Sequence, residues 1–148
     1  MLDKSVDFPL NETISICMNN NCGEIRYTFP NDLEDCLLIE NFWFCPTLFS
    51  LFYLEDFYRL LTAVLLERSL IFVSDNLTIL SSVILGLKTL IQPFSWCYAL
   101  IPVLPSALID ILDTPQPILV GITRNDYNGL QLSEEERENK TWIQLDEK

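Results

Sequence analysis

The sequence predicts an α/β fold: a central, mostly parallel sheet with helices on both faces, preceded by a β-hairpin. Three observations carry this. Largely apolar runs at residues 70–74, 97–101 and 118–122 are short, and that at 70–74 is β-branched at Ile71 and Val73, as strands buried on both faces are. Between these runs lie stretches with apolar residues at helical spacing. Strands alternating with helices build a parallel sheet, because parallel neighbours need a crossover.

The elements follow in order. Residues 13–17 and 24–29 alternate and are rich in β-branched side chains, and the turn-forming stretch Met18-Asn19-Asn20-Asn21-Cys22-Gly23 joins them into a hairpin. Residues 30–40 are acidic and mixed, and residues 42–52 are strongly aromatic. Pro46-Thr47 marks the start of a short helix there, since proline suits a first turn. Leu54, Phe57, Tyr58, Leu61, Val64 and Leu65 fall on one helical face and predict a helix over 54–67. After the strand at 70–74 comes a helix over 78–91, with Ser74, Asp75 or Asn76 as its cap and Pro93 as its stop. The second core strand covers 97–101 and Pro102 closes it. Pro105 opens a helix running to about Leu112, and the third core strand covers 118–122. Residues 125–129, Asn-Asp-Tyr-Asn-Gly, read as a loop. Ser133-Glu134-Glu135-Glu136 reads as a capping box opening a short acidic helix, and residues 142–145 form a last strand.

Composition bounds the function. The 148 residues make one domain or one lobe of a larger one, with its core over about 45–146 and no internal repeat or linker. The net charge of −12 has the wrong sign for nucleic acid or an anionic lipid surface. The acid is concentrated at the two ends, because residues 41–121 hold only six acidic and three basic side chains. Residues 94–112 form the longest apolar region, but Pro102, Pro105 and Asp110 interrupt it, so a strand followed by a helix explains it better than a membrane span. No signal peptide is visible at the start of the sequence, and the expected location is the cytoplasm.

The usual chemistry is poorly supported. Histidine is absent, which removes the commonest general base and metal ligand. The five cysteines (Cys17, Cys22, Cys36, Cys45, Cys97) are irregularly spaced and mostly in apolar surroundings, which predicts buried free thiols in a reducing compartment instead of a zinc module. The four glycines are scattered, so no phosphate-cradling loop is expected, and no Gly-x-Ser-x-Gly elbow is present. The expectation is therefore no cofactor, no metal and no covalent catalysis. Arg68 suits the end of a helix, where its charge complements the dipole. Trp96 reads as packing over the sheet. Asp75 and Asn76 follow a core strand at its carboxyl end, where functional groups collect in open α/β sheets, and they serve equally well as helix caps. The acidic cluster at 134–138 is either a solvated face or a dock for a basic partner.

Four blocks in register carry a resemblance. They are Leu65-Leu66-Glu67-Arg68 with Phe72-Val73-Ser74; Pro93-Phe94-x-Trp96; Ile101-Pro102-Val103-Leu104-Pro105; and Pro115-x-Pro117-Ile118-Leu119-Val120-Gly121-Ile122. From about Leu48 to Ile122 the chain resembles the central segment of DENN domains, and Gln144-Leu145-Asp146 is similar to the strand that follows it. The resemblance implies a two-lobed parent fold, of which this chain is the central lobe. The longin-like N-terminal lobe and the trailing helical section are expected to lie outside it.

The resemblance also implies a function. Family members typically act as guanine nucleotide exchange factors for Rab-type small GTPases in vesicle traffic. Such exchange needs no base or nucleophile, because the factor binds the nucleotide-free state better and shifts the population. The expected partners are a Rab-family GTPase and the longin-like lobe of the same protein, with no nucleic acid and no direct membrane insertion, though recruitment to vesicle membranes fits. From position alone, the GTPase-binding candidates are Asp75, Asn76, Arg124, Asn125, Asp126, Glu134, Glu135 and Glu138. The alternatives are a non-catalytic DENN-like scaffold in a GTPase-regulating complex, and an unrelated α/β enzyme with a deep pocket of paired titratable groups.

Overall fold

The computed structural model describes residues 13–17, 24–28, 33–130 and 139–145. The chain divides into two compact units, residues 1–39 and 40–148. In the first, β1 (Thr13–Cys17) and β2 (Glu24–Thr28) pair antiparallel in the register Thr13 opposite Thr28, as the alternating pattern predicts. The two hydroxyls at that register position lie 2.9 Å apart.

The second unit contains a four-stranded sheet, entirely parallel, in the order β4-β5-β3-β6. Its strands are β3 (Leu70–Val73), β4 (Ala99–Ile101), β5 (Ile118–Ile122) and β6 (Thr141–Gln144). Every residue of β3 and β5 is buried, whereas β4 and β6 are only partly covered. The sequence shows why. Strands without polar positions can sit only in the sheet's centre, while Thr141-Trp142-Ile143-Gln144 is wet at both ends and suits an edge.

Side chains alternate between two cores. Leu70, Phe72 and Leu119 pack with Leu48, Leu60, Val64, Leu80, Val83, Ile84 and Leu87, which belong to three helices. These are α1 (Leu33–Leu51), α2 (Leu54–Leu65) and α3 (Leu77–Leu90). Ile71, Val73, Ile118, Val120 and Ile122 face the other way, onto Leu104, Leu112, Ile109 and Tyr127. That face is covered by a 3-10 helix (Ser106–Asp113) and by α4 (Arg124–Gly129). Helices thus flank both faces, as the α/β reading requires.

Three expectations need correction. Pro46 does not start a helix but lies inside α1. It is exposed, while its neighbours Phe44 and Leu48 meet α3 at Gly86, where an added Cβ would come within 3.3 Å of Leu48 Cδ2. Packing on both sides of the proline outweighs the hydrogen bond it removes. Residues 125–129 are not a loop but most of α4, because Thr123 caps them. Cys97 is exposed instead of buried, since β4 begins only at Ala99; Cys36 and Cys45 are half-buried. The helix after Pro105 forms where expected but is a 3-10 helix with a kink at Leu108 (φ −114°, ψ 19°). Residues 133–136 lie outside the described residues.

The end of α2 explains one of the family-like blocks. Glu67 takes a left-handed conformation at φ 53°. Its N–H donates to Val64 O at 3.0 Å and that of Arg68 to Ala63 O at 3.0 Å, which is the Schellman pattern. Glycine usually stands at this position. Here the Glu67 carboxylate accepts the Tyr98 O–H at 3.1 Å, and that contact holds the Tyr98 phenol above its ordinary titration range. Arg68, read as a helix-end cation, is the last residue of this turn.

Gly121 is a tight point of the sheet. The Leu104 N–H donates to its carbonyl at 2.7 Å, and a Cβ built on it would lie 2.3 Å from the Pro102 carbonyl oxygen. No side chain fits against backbone at that distance. Gly121→Ala is therefore expected to destabilise the fold by about 1–3 kcal/mol, as overpacking of a close-packed core does. Urea denaturation of the wild type and variant checks this through a lower midpoint at unchanged slope.

Candidate functional site

Parallel strands bring their carboxyl ends to one edge, and the sequence places its loose polar residues there. β3 is followed by Ser74-Asp75-Asn76, and β5 by Thr123-Arg124-Asn125-Asp126. The two ends are adjacent because β3 and β5 pair, and the Ser74 N–H extends the ladder to Ile122 O at 3.3 Å.

The five described candidates divide by role. Asn76 is the N-cap of α3: its side-chain oxygen accepts from the N–H groups of Thr78 (3.0 Å) and Ile79 (3.3 Å). Its own N–H donates to Ser74 Oγ at 3.1 Å. The capping alternative of the sequence reading therefore holds for Asn76. Asp75 points to solvent with its side chain 69% exposed, and its Oδ2 meets Arg124 Nε at 3.3 Å. This ion pair ties the end of β3 to that of β5 and leaves both charges within reach of a second molecule. Asn125 is exposed beside it.

Asp126 turns inward to its own helix. Its Oδ2 accepts the Thr123 hydroxyl at 2.7 Å, while its N–H donates back to Thr123 Oγ1 at 3.2 Å. Thr123 thus caps α4 through its side chain, and the Asp126 carboxylate three residues on holds that hydroxyl in place. Its Oδ1 accepts the Ser106 hydroxyl at 2.8 Å. The Thr123 hydrogen bond, and after it that of Ser106, hold the Asp126 carboxyl below the ordinary carboxylate range. Sequence reading missed Thr123 and Ser106. The Thr123-x-x-Asp126 spacing was a usable signal, whereas nothing in the sequence linked Ser106 to Asp126 across 20 residues. Glu134, Glu135 and Glu138 lie outside the described residues.

Elsewhere, a groove of about 490 Å³ runs along β6 beneath α2. Leu51, Phe52, Leu60, Leu70, Ile143 and Leu145 give it an apolar lining, and its charged groups are Asp56 and Arg59, 3.7 Å apart. A pair of opposite charges of this kind is a surface ion pair, not an acid and base set to different tasks. Trp96 packs against the core and donates its Nε1–H to Ala99 O at 3.2 Å, the packing role expected of it. Among the described residues, no cluster of three or more His, Cys, Asp and Glu side chains is placed to hold a metal, and no helix is long and apolar enough to cross a membrane. What the strand-end edge offers is recognition: one exposed charge of each sign, a free-standing amide, and a rigid sheet behind them.

Comparison with known proteins identifies the family. Residues 4–148 match the family model described as the DENN (AEX-3) domain. The chain belongs to the DENN family. Its relatives include DENN domain-containing protein 2B of Mus musculus and Homo sapiens, each 44% identical over 84 residues, which is 57% of this chain and 7% of the relative. DENN domain-containing protein 2A of Mus musculus is 42% identical over 76 residues, 51% of this chain and 8% of that protein. The 2D protein of Mus musculus is 36% identical over 70 residues, 47% of this chain and 15% of that protein. The chain thus spans a small part of the curated relatives it matches. Within this DENN domain, the blocks that carried the resemblance fall on the turn after α2, on β3, ahead of β4, on the Pro102–Pro105 loop against Gly121, and on β5.

The two kinds of polar residue at the edge should respond differently. Asn76→Ala is expected to cost about 1 kcal/mol of stability through the lost cap. Asp126 works through its charge. Its folded-state pKa is depressed, so its contribution is complete above the ordinary carboxylate pKa and is lost as pH falls through the lower folded value. Chemical denaturation near neutral pH and again well below the ordinary carboxylate range should show a stability loss in the wild type that is smaller in Asp126→Asn.

Proposed function

We propose that this DENN domain is a module of a guanine nucleotide exchange factor for a Rab-type small GTPase, working in the cytoplasm at vesicle membranes. The family match over residues 4–148 is the observation that carries this reading, because exchange on Rab proteins is what DENN domains are generally known for. The strand-end edge supports it. Its exposed Asp75–Arg124 pair suits a protein surface bearing charges of both signs.

The mechanism needs no bond-making. The exchange factor binds the nucleotide-free GTPase more tightly than the GDP-bound form, and this difference draws the nucleotide and its magnesium ion out of the switch regions. A rigid layered body serves this better than a flexible one, since ordering on binding would subtract from the difference. The longin-like lobe of the same protein completes the surface in this reading. Asp75, Arg124 and Asn125 carry the contacts from this chain, while Asn76 and Asp126 hold the helix starts beside them.

Mixing the full-length protein with a panel of Rab proteins carrying fluorescent GDP tests the proposal. Accelerated release from one or a few members is expected, and no acceleration with any member would overturn it. A stable stoichiometric complex without release would assign the protein to the scaffold class instead. Arg124→Glu should slow release on the order of tenfold by placing two carboxylates at the contact. The double exchange Asp75→Arg with Arg124→Glu restores the pair but should not restore release, because the partner meets the charges in reversed positions.

A further inference from the structure

Among the described residues, α4 is held in an unusual way. It has six residues and none of them is fully buried, so hydrophobic packing anchors it less than it anchors α2 and α3. Its apolar anchor is Tyr127, which packs against the core formed by β3 and β5 and against Trp142, with ring centroids 5.4 Å apart. Its other anchor is polar. Each oxygen of the Asp126 carboxylate takes one hydroxyl, Thr123 on one side and Ser106 on the other. The Thr123 contact is internal to the cap and turns with the helix. The Ser106 contact is not: it reaches from the 3-10 helix, which follows β4, to α4, which follows β5.

Resting on the exchange-factor reading, we infer that Ser106 is a positioning residue: through Asp126 it sets the orientation of α4 and so aims Arg124 at the partner. The geometry gives it leverage. Pro105, with φ −66°, delivers Ser106 from a constrained turn, and the Pro102–Leu104 segment before it is wedged against Gly121. The hydroxyl is therefore mounted on the rigid sheet. A carboxylate bonded through both oxygens is restrained in rotation, and Arg124 sits two residues away in the same helical turn. Hydrogen bonds link Ser106, Asp126 and Thr123, the backbone joins Thr123 to Arg124, and Arg124 pairs with Asp75, so the connection crosses the ends of three strands. Ser106 touches no partner in this scheme and acts only through α4.

The test compares Ser106→Ala and Ser106→Thr with the wild type in the full-length protein. GDP release is measured against Rab concentration, and the Asp126 carboxyl is titrated by carbon-detected NMR. Loss of a hydroxyl-to-carboxylate hydrogen bond should raise KM for the Rab on the order of fivefold in Ser106→Ala. The expected pattern keeps kcat and melting temperature close to wild type, and Ser106→Thr restores KM by returning the hydroxyl. The Asp126 carboxyl should titrate higher in Ser106→Ala than in the wild type. An unchanged KM in Ser106→Ala, or equal losses in kcat and stability, would overturn the inference while leaving the exchange activity in place. An Asp126 titration that ignores the substitution would overturn it at its first step, with or without a Rab. A wild type inactive on every Rab, with Asp126 still responding to Ser106, would instead overturn the functional reading on which the positioning role rests.

Discussion

Between Leu70 and Val73, and between Ile118 and Ile122, every residue is buried. Backbone N–H and C=O groups in such surroundings must find partners within the protein, and these two strands supply them to each other in the register Leu70 to Leu119. From that pairing the rest follows. It fixes which side chains face which core, brings the ends of the two strands together, and leaves β4 and β6 as the edges. Gly121 sharpens the constraint. The loop leaving β4 presses onto the backbone of β5 at a distance only glycine permits, so the edge strand is locked to the centre by contact as well as by hydrogen bonds.

The strand-end edge gains its properties from this frame. Small polar side chains there do two jobs. Asn76, Thr123, Asp126 and Ser106 satisfy backbone groups and one another, while Asp75, Arg124 and Asn125 remain at the surface. A surface built this way is stiff without being buried. That suits a protein whose proposed activity is to prefer one conformational state of its partner, since any flexibility would let it accept both.

Much of this was legible in the residues. The continuous apolar runs identified β3 and β5, and the four spaced blocks identified the family, because both signals are local and dense. The two central strands were placed nearly to the residue, while β4 proved shorter than its apolar run because Cys97 and Tyr98 are drawn outward, Tyr98 toward Glu67. Pro46 misled for a related reason. Its local preference favours a helix start, but Phe44 and Leu48 on either side of it dock on α3 and keep α1 intact. The candidate site was legible as a location and not as a set of roles. Position at a strand end marked Asp75 through Asn76 and Arg124 through Asp126, but it did not separate caps from contacts. The helical state of 125–129 was open to reading from Thr123 and Asp126, and the turn-rich composition of that stretch concealed it.

The sequence by itself determined the order of the core strands and of the helices between them, the parallel sheet and the family, because hydrophobic period and segment length are properties of neighbouring residues. It determined also that the polar residues at the ends of β3 and β5 would gather at one edge, because parallel strands align their carboxyl ends. Only the tertiary structure decided that Ser106 reaches Asp126, that Asp75 reaches Arg124, and that Gly121 must be bare. These facts depend on distances between segments far apart in the chain, and packing, not local preference, sets those distances.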